Sequence, residues 1–116
     1  MLDIKNFSKS YGEKKVVDSL SISVQPGDIY GFIGANGAGK TTTIKSVVGI
    51  HDFEDGSITI NGHSIKEEPV ICKKVMAYIP DNPDLYEHMT GLQYINFIAD
   101  LFEIPTKIRR ERIQKY

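Results

Sequence analysis

Apolar and polar residues alternate along the first part of the chain. The alternation is mixed in residues 2–8 and clearer in residues 15–25, where serines separate the apolar residues of Leu20 to Val24. A period of two is typical of a strand with one buried face. The pattern therefore predicts two strands, with a turn between them at Gly12.

Three further short apolar runs predict strands. Ile29 to Ile33 is apolar almost throughout, which is typical of a strand that is buried on both faces. Val75 to Ile79 has the same character and is stopped by Pro80. Ser57 to Ile60 precedes Asn61-Gly62, the strongest short hairpin signal.

Helical spacing occurs in three places. Between Thr41 and Ile50 the apolar residues recur on one face: Ile44, Val47, Val48 and Ile50. Thr90 begins a second helix, because Thr90 and Gln93 fit the capping-box pattern. From Lys107 the pattern indicates the opening of another helix, which runs to Tyr116 without a stop signal. We expect a domain that is truncated at this point.

Between the apolar strand and the first helix lies the sequence Gly-Ala-Asn-Gly-Ala-Gly-Lys-Thr, residues 34–41. This is the pattern of a phosphate-binding loop, or P-loop. A triphosphate is held by many converging backbone N–H groups, and the curl that this needs favours glycine, here at Gly34, Gly37 and Gly39. The amides of residues 37–42 then point at the phosphates from the positive end of the helix.

The side chains after these glycines predict individual roles. Lys40 reaches the β and γ phosphates as a positive charge, and Thr41 offers its hydroxyl to Mg²⁺. Thr42 is expected to bind the α phosphate through its amide and hydroxyl. The strand before the loop and the helix after it are the context that the motif requires, so the sequence predicts binding of a nucleoside triphosphate with Mg²⁺. The alternative is a glycine-rich turn that only links strand to helix.

Several other residues have the chemistry that a site around the phosphates could use. Phosphoryl transfer needs a carboxylate near Mg²⁺, and Asp81 is a candidate because it follows an apolar strand, although a loop-capping aspartate is the alternative. Asp100 has similar neighbours, but its segment has helical spacing. Tyr11 could stack on a purine or be an ordinary turn tyrosine. The histidines show no metal-ligand spacing with each other or with Cys72 and are expected at the surface: His51, His63 and His88.

The overall composition excludes several function classes. The chain of 116 residues has a net charge of -1, so no global charge attracts it to nucleic acid or to an anionic membrane. The basic stretch Lys107–Lys115 is interrupted by Glu111 and is expected to be a solvated helix face. Cys72 is the single cysteine, so an internal disulfide is excluded. We find no signal-peptide pattern and no apolar run long enough for a membrane span.

With these motifs in hand, the chain resembles the N-terminal half of an ABC transporter ATP-binding domain over nearly its whole length. Six segments carry the resemblance: Ser10–Gly12 (the aromatic loop), Gln25–Gly34 (the lead-in to the phosphate loop), Asn36–Thr42 (the phosphate loop), Gly56–Gly62 (the next strand and turn), Tyr78–Asp81 (the glutamine loop) and Leu85–Gly91 (the entry to the helical subdomain).

The resemblance implies an α/β fold that is incomplete. It would contain a P-loop NTPase core with an N-terminal antiparallel β region at residues 1–89, and the start of a helical subdomain at 90–116. It implies ATP and Mg²⁺ as ligands, with Lys40 and Asp81 in catalysis and Thr41 and Asp81 at the metal. The implied ATP-binding residues are Tyr11, which would stack on adenine, and Asn36, Gly37, Ala38, Gly39, Lys40, Thr41 and Thr42.

The same resemblance implies a function for the intact protein. Such proteins couple ATP hydrolysis to transport, on the inner face of the cytoplasmic membrane, together with a membrane-spanning subunit and a second ATP-binding domain. No nucleic-acid partner is implied. Asp81 stands where the family has glutamine, which favours an exporter. The chain contains no Leu-Ser-Gly-Gly-Gln-type signature and no later catalytic glutamate or switch histidine, so we expect these 116 residues alone to be inactive.

Three alternatives remain open at this point. One is an ABC ATPase without a transport role, as in translation or DNA repair. Another is a small P-loop kinase or GTPase, although a GTPase would need a guanine-reading Asn-Lys-x-Asp that this chain lacks. The last is an interaction module that keeps the loop without using it.

Overall fold

A computed structural model describes residues 1–82 and 88–116, which form two compact units, Met1–Tyr78 and Ile79–Tyr116. The first unit contains β1 (Leu2–Tyr11), β2 (Lys14–Val24), α1 (Lys40–Val47), β3 (Asp55–Ile60), β4 (His63–Ser64) and α2 (Pro69–Lys74). The second contains α3 (Gly91–Leu101) and α4 (Thr106–Lys115).

The strands of the first unit form an antiparallel sheet in the order β2-β1-β3-β4. The alternating stretches at the N-terminus are strands, as predicted, and Tyr11 pairs with Lys14 where their hairpin turns. The hairpin signal is also confirmed: Asn61 and Gly62 both have positive φ, 51° and 86°, and connect β3 to β4. The first hairpin therefore turns directly after Tyr11, the residue that could stack on a purine.

The core of this unit is formed by residues of β1 and β3 together with Phe53, which lies in the segment that follows α1. The rings of Phe7 and Phe53 meet edge to face with centroids 5.3 Å apart. Phe7 and Ile58 are essentially without solvent exposure. The other buried members of this cluster are Ile4, Val17, Ile60, Ile65 and Cys72.

The expectation that Ile29–Ile33 forms a strand buried on both faces is wrong. Within residues 1–82 and 88–116 no strand of the sheet pairs with this segment, and Ile29 and Ile33 are almost fully exposed, at 101% and 92%. Tyr30 and Phe32 instead line an apolar cavity of about 280 Å³ beside β1, β2 and α1. The segment is covered on one face only, and a buried parallel strand needs neighbouring strands and cover on both faces.

Val75–Ile79 likewise contains no strand in the structure. Met76 packs against the core cluster, but Val75 and Ile79 are exposed, at 56% and 86%. The reason is the same as for Ile29–Ile33: a strand needs partner strands, and among the described residues no strand pairs with this segment.

The first helix is confirmed, but it ends at Val47 and not at Ile50, and its buried face differs from the predicted one. Thr43 and Ser46 are its buried residues, whereas Ile44 and Ile50 are substantially exposed. Thr43 tolerates burial because its hydroxyl donates to the carbonyl oxygen of Gly39 at 2.9 Å, which satisfies the polar group within the helix.

The second unit consists mainly of a pair of helices. The predicted capping box of α3 is present, and the helix predicted from Lys107 is α4. Arg109 of α4 joins the pair by donating to the Asn96 side chain at 3.1 Å and to the Ile104 carbonyl at 3.1 Å. Residues 85–87 of the predicted entry to the helical subdomain lie outside the described residues. No helix in the described ranges has the length and apolarity to cross a membrane.

Candidate nucleotide-binding site

The glycines of the loop adopt the curl that the sequence predicts at two positions. Gly37 and Gly39 have φ of 81° and 86°, in the left-handed region that favours glycine. Gly39 is the N-cap of α1, and the first helical hydrogen bond runs from the Thr43 amide to the Gly39 carbonyl at 2.8 Å. Because glycine has no side chain that could cap the helix, the amides of residues 40–42 remain available to an anion.

The loop is fixed against β2 by close packing. Gly39 is buried, and a Cβ atom added to it would lie 2.7 Å from Cγ2 of Val17 and 2.8 Å from the carbonyl oxygen of Val16. No side chain larger than hydrogen fits between the two segments. The absence of a side chain at Gly39 therefore allows both the curl of the loop and its contact with the sheet. From the sequence, Val16 and Val17 were predicted only to lie in a strand, and their contact with the loop was not predicted.

Lys40 folds over the loop that it belongs to. Its ammonium donates to the carbonyl oxygens of Gly34 at 2.6 Å and Ala35 at 2.7 Å. The positive charge is thus held beside the backbone of the loop that leads to the free amides of α1. Phosphate oxygens bound by those amides would be natural further partners for this ammonium.

The remaining loop residues lie at the surface. Asn36, Gly37, Ala38 and Thr41 are exposed, and Thr42 is half-buried. The loop is therefore open to a ligand from solvent. The loop suits a triphosphate, because one short segment contains the glycines that curl the backbone, the free amides of the helix and a lysine.

Tyr11 lies at the end of β1 with 47% of its surface exposed. The ammonium of Lys9 lies over its ring, 5.4 Å from the centroid. The imidazole of His51 stands almost perpendicular to it, with centroids 6.1 Å apart and planes at 82°. His51 is therefore half-buried against an aromatic ring instead of being a free surface histidine. No pattern in the sequence connects these two residues, which are 40 positions apart.

Asp81 belongs to the second unit, where it is exposed directly after Pro80. Its role at a metal ion stays a prediction. Among residues 1–82 and 88–116 no cluster of three or more histidine, cysteine or acidic side chains could hold a metal ion.

Comparison with known proteins agrees with this arrangement. Residues 17–115 match the family model described as ABC transporter. The ABC-type transporter ATP-binding protein EcsA of Bacillus subtilis is 33% identical over 113 residues, which is 97% of this chain and 46% of that protein. The SkfA peptide export ATP-binding protein SkfE of Bacillus subtilis is 37% identical, with the same two coverages, 97% and 46%.

A solved structure gives the same result at the level of the fold. The structure of an ATP binding subunit of an ABC transporter superposes with a TM-score of 0.86 and 33% sequence identity, over 91% of this chain and 44% of that one. The chain thus spans less than half the length of the relatives it matches. The sequence matches and the structural match are to the same kind of protein, and the chain therefore belongs to the ABC transporter family.

Proposed function

We propose that this chain binds Mg·ATP at the loop before α1. The observation that carries the proposal is the start of α1. There buried Gly39 at positive φ leaves the first amides uncapped, and the Lys40 ammonium is held on the carbonyls of the same loop. An uncapped helix N-terminus attracts phosphate through its free N–H groups and its dipole. Family membership adds ATP as the triphosphate.

In this proposal each loop residue has a stated role. The backbone of Asn36–Gly39 and the amides of Lys40, Thr41 and Thr42 hold the phosphates. Lys40 neutralises the β and γ phosphates, and Tyr11 stacks on the adenine. The Thr41 hydroxyl and Asp81 would hold Mg²⁺, which would supply positive charge to neutralise the phosphates. Lys40 and Asp81 are thereby the proposed catalytic residues of this part of the protein.

For the intact protein we propose the activity of the family, ATP hydrolysis coupled to transport across the cytoplasmic membrane. The domain would comprise the nucleotide-binding core at 1–89 and the start of the helical subdomain at 90–116. Its partners would be a membrane-spanning subunit and a second ATP-binding domain, at the inner face of the membrane. We favour export, because Asp81 replaces a glutamine and because the names of two relatives refer to peptide export and linearmycin resistance.

The 116 residues by themselves are proposed to bind nucleotide weakly and not to turn it over. They contain no Leu-Ser-Gly-Gly-Gln-type signature, which in this family closes over the loop of the partner domain. Their sequence also has no later catalytic glutamate and no switch histidine. Steady-state phosphate release by the purified chain, above that of its Lys40→Ala variant, would contradict this proposal.

Titration calorimetry of wild type and Lys40→Ala with Mg·ATP and with tripolyphosphate tests the binding site. We expect wild type to bind both ligands, and Lys40→Ala to bind both at least about tenfold more weakly, as loss of a charge-assisted phosphate contact costs roughly 1.5–3 kcal/mol. Lys45→Ala removes the same charge from the last turn of α1 and is the matched control. Equal binding by wild type and Lys40→Ala would contradict the proposed site.

A further inference from the structure

We propose that His51 is a positioning residue for a purine base, because it holds the ring of Tyr11 on which the base stacks. The proposal rests on the function proposed above and extends its base site to the far end of α1. It assigns a role to a side chain that the phosphate loop does not use. The ligand class is a purine nucleotide, bound by phosphates at one end of α1 and by its base near the other.

The backbone around His51 is firmly held. The amides of Ile50 and His51 both donate to the carbonyl oxygen of Lys45, at 2.8 and 3.2 Å. Gly49, with φ of 71°, turns the chain there, and its amide donates to the Ser46 carbonyl at 3.1 Å. The imidazole thus projects from a backbone that is tied to the end of the same helix that begins at Lys40.

Tyr11, by contrast, stands at a hairpin end, where its backbone pairs with Lys14 and 47% of its surface is exposed. It is the last residue of β1, and Gly12 follows it at φ of 57°. Its ring meets the perpendicular imidazole of His51 and the ammonium of Lys9. Lys9 is in turn paired with Glu54, with Nζ and Oε1 3.6 Å apart. A perpendicular ring pair at this centroid distance is an attractive geometry that restricts the orientation of an exposed tyrosine.

A ring that is already oriented loses less side-chain entropy when a base stacks on it. Without the imidazole, Tyr11 would keep the Lys9 contact but lose the perpendicular ring, and the nucleotide would have to restrict the tyrosine further. Part of the affinity for the base would be lost, whereas affinity for phosphates alone would be unchanged. The effect of His51 should therefore depend on two things, the presence of a base on the ligand and the presence of Tyr11.

Titration calorimetry with Mg·ATP and with tripolyphosphate tests this in the full chain. We expect His51→Ala to weaken Mg·ATP binding about two- to tenfold, the range that aromatic pairs support, and to leave tripolyphosphate binding unchanged. His51→Phe keeps a ring at this position and should restore most of the affinity. His63→Ala is the matched control, because His63 pairs with Glu68 at 2.9 Å and makes no ring contact with Tyr11.

A double-mutant cycle separates positioning from a general effect on the fold. In a Tyr11→Ala background, His51→Ala should cause no further loss of Mg·ATP affinity. Unchanged Mg·ATP binding in His51→Ala, or an equal loss in the Tyr11→Ala background, overturns the inference while the proposed function stands. Weaker tripolyphosphate binding in His51→Ala also overturns it, since the loop itself would then be disturbed. Failure of wild type to bind either ligand overturns the proposed function, and the inference with it.

Discussion

Gly39 of the phosphate loop lies so close to Val17 of β2 that an added Cβ atom would approach its Cγ2 to 2.7 Å. Such an approach is shorter than van der Waals contact, and the Val16 carbonyl at 2.8 Å cannot move without distorting the strand. We therefore expect Gly39→Ala to lower the free energy of unfolding by about 2 kcal/mol or more, from the clash and from positive φ together. Urea unfolding followed by circular dichroism measures this change.

Gly37→Ala separates the two causes. Gly37 has nearly the same positive φ, 81°, but a Cβ atom there meets nothing within 4 Å. It should cost only about 1 kcal/mol, the strain of a left-handed alanine. Similar losses for both variants would show that contact with β2 does not hold the loop.

The sequence predicted the features whose cause is local. The first two strands, the Asn61-Gly62 turn and the Thr90 cap each depend on residues that are neighbours in the chain, so alternation and turn chemistry were sufficient. Whether Ile29–Ile33 forms a strand depends on partner strands elsewhere in the chain, and the apolar pattern of the segment itself does not show whether they are present.

The parts of the candidate site divide in the same way. The phosphate loop was recognisable because its chemistry is compressed into a few consecutive residues. The contact of Tyr11 with His51 joins residues from β1 and from the end of α1, and only the folded chain brings them together. Outside the site, Cys72 and His63 are a second contact of this kind, since the thiol donates to the His63 carbonyl at 3.3 Å.

The exposure of Ile33 leads to a paired prediction on stability. Ile58→Ala should destabilise the chain by about 2–5 kcal/mol, because this side chain is 1% exposed in the core. Ile33→Ala should change stability by less than about 0.5 kcal/mol, because that side chain is 92% exposed. Urea midpoints of the two variants against wild type provide the comparison, and a large loss in Ile33→Ala would mean that the segment is packed in solution.

The capping box of α3 should contribute measurably to the second unit. The Thr90 hydroxyl accepts from the Gln93 amide at 3.3 Å, and the Gln93 side chain accepts from the Thr90 amide at 2.8 Å. Thr90→Ala removes one of these bonds and should cost about 0.5–2 kcal/mol of local stability. Hydrogen exchange of the amides in the first turn of α3 reports this loss directly.

Thr106→Ala serves as the control for that experiment. Thr106 is the first residue of α4, whose N-cap makes no side-chain hydrogen bond. Its replacement should leave the exchange rates of α3 unchanged. Equal acceleration by both variants would assign the effect to general loosening of the two helices.

Burial gives Cys72 a predictable dependence on pH. The side chain is fully buried, and loss of solvation raises the pKa of its thiol above the ordinary range. The folded state therefore keeps the proton when the unfolded chain has begun to lose it. The stabilising effect is complete below the unfolded thiol pKa of about 8.5 and is lost as pH rises from there through the folded pKa.

Urea unfolding between pH 7.5 and 10.5 tests this in wild type and in Cys72→Ala. A single thiol can lower wild-type stability by at most about 1.4 kcal/mol per pH unit relative to the alanine variant. Lysine and tyrosine titrations affect both proteins alike, so the difference between the two curves isolates the thiol. The native thiol should also react with Ellman's reagent at pH 8 only as fast as the chain opens, and much faster in urea. Parallel stability curves together with rapid native modification would mean that Cys72 is exposed in solution.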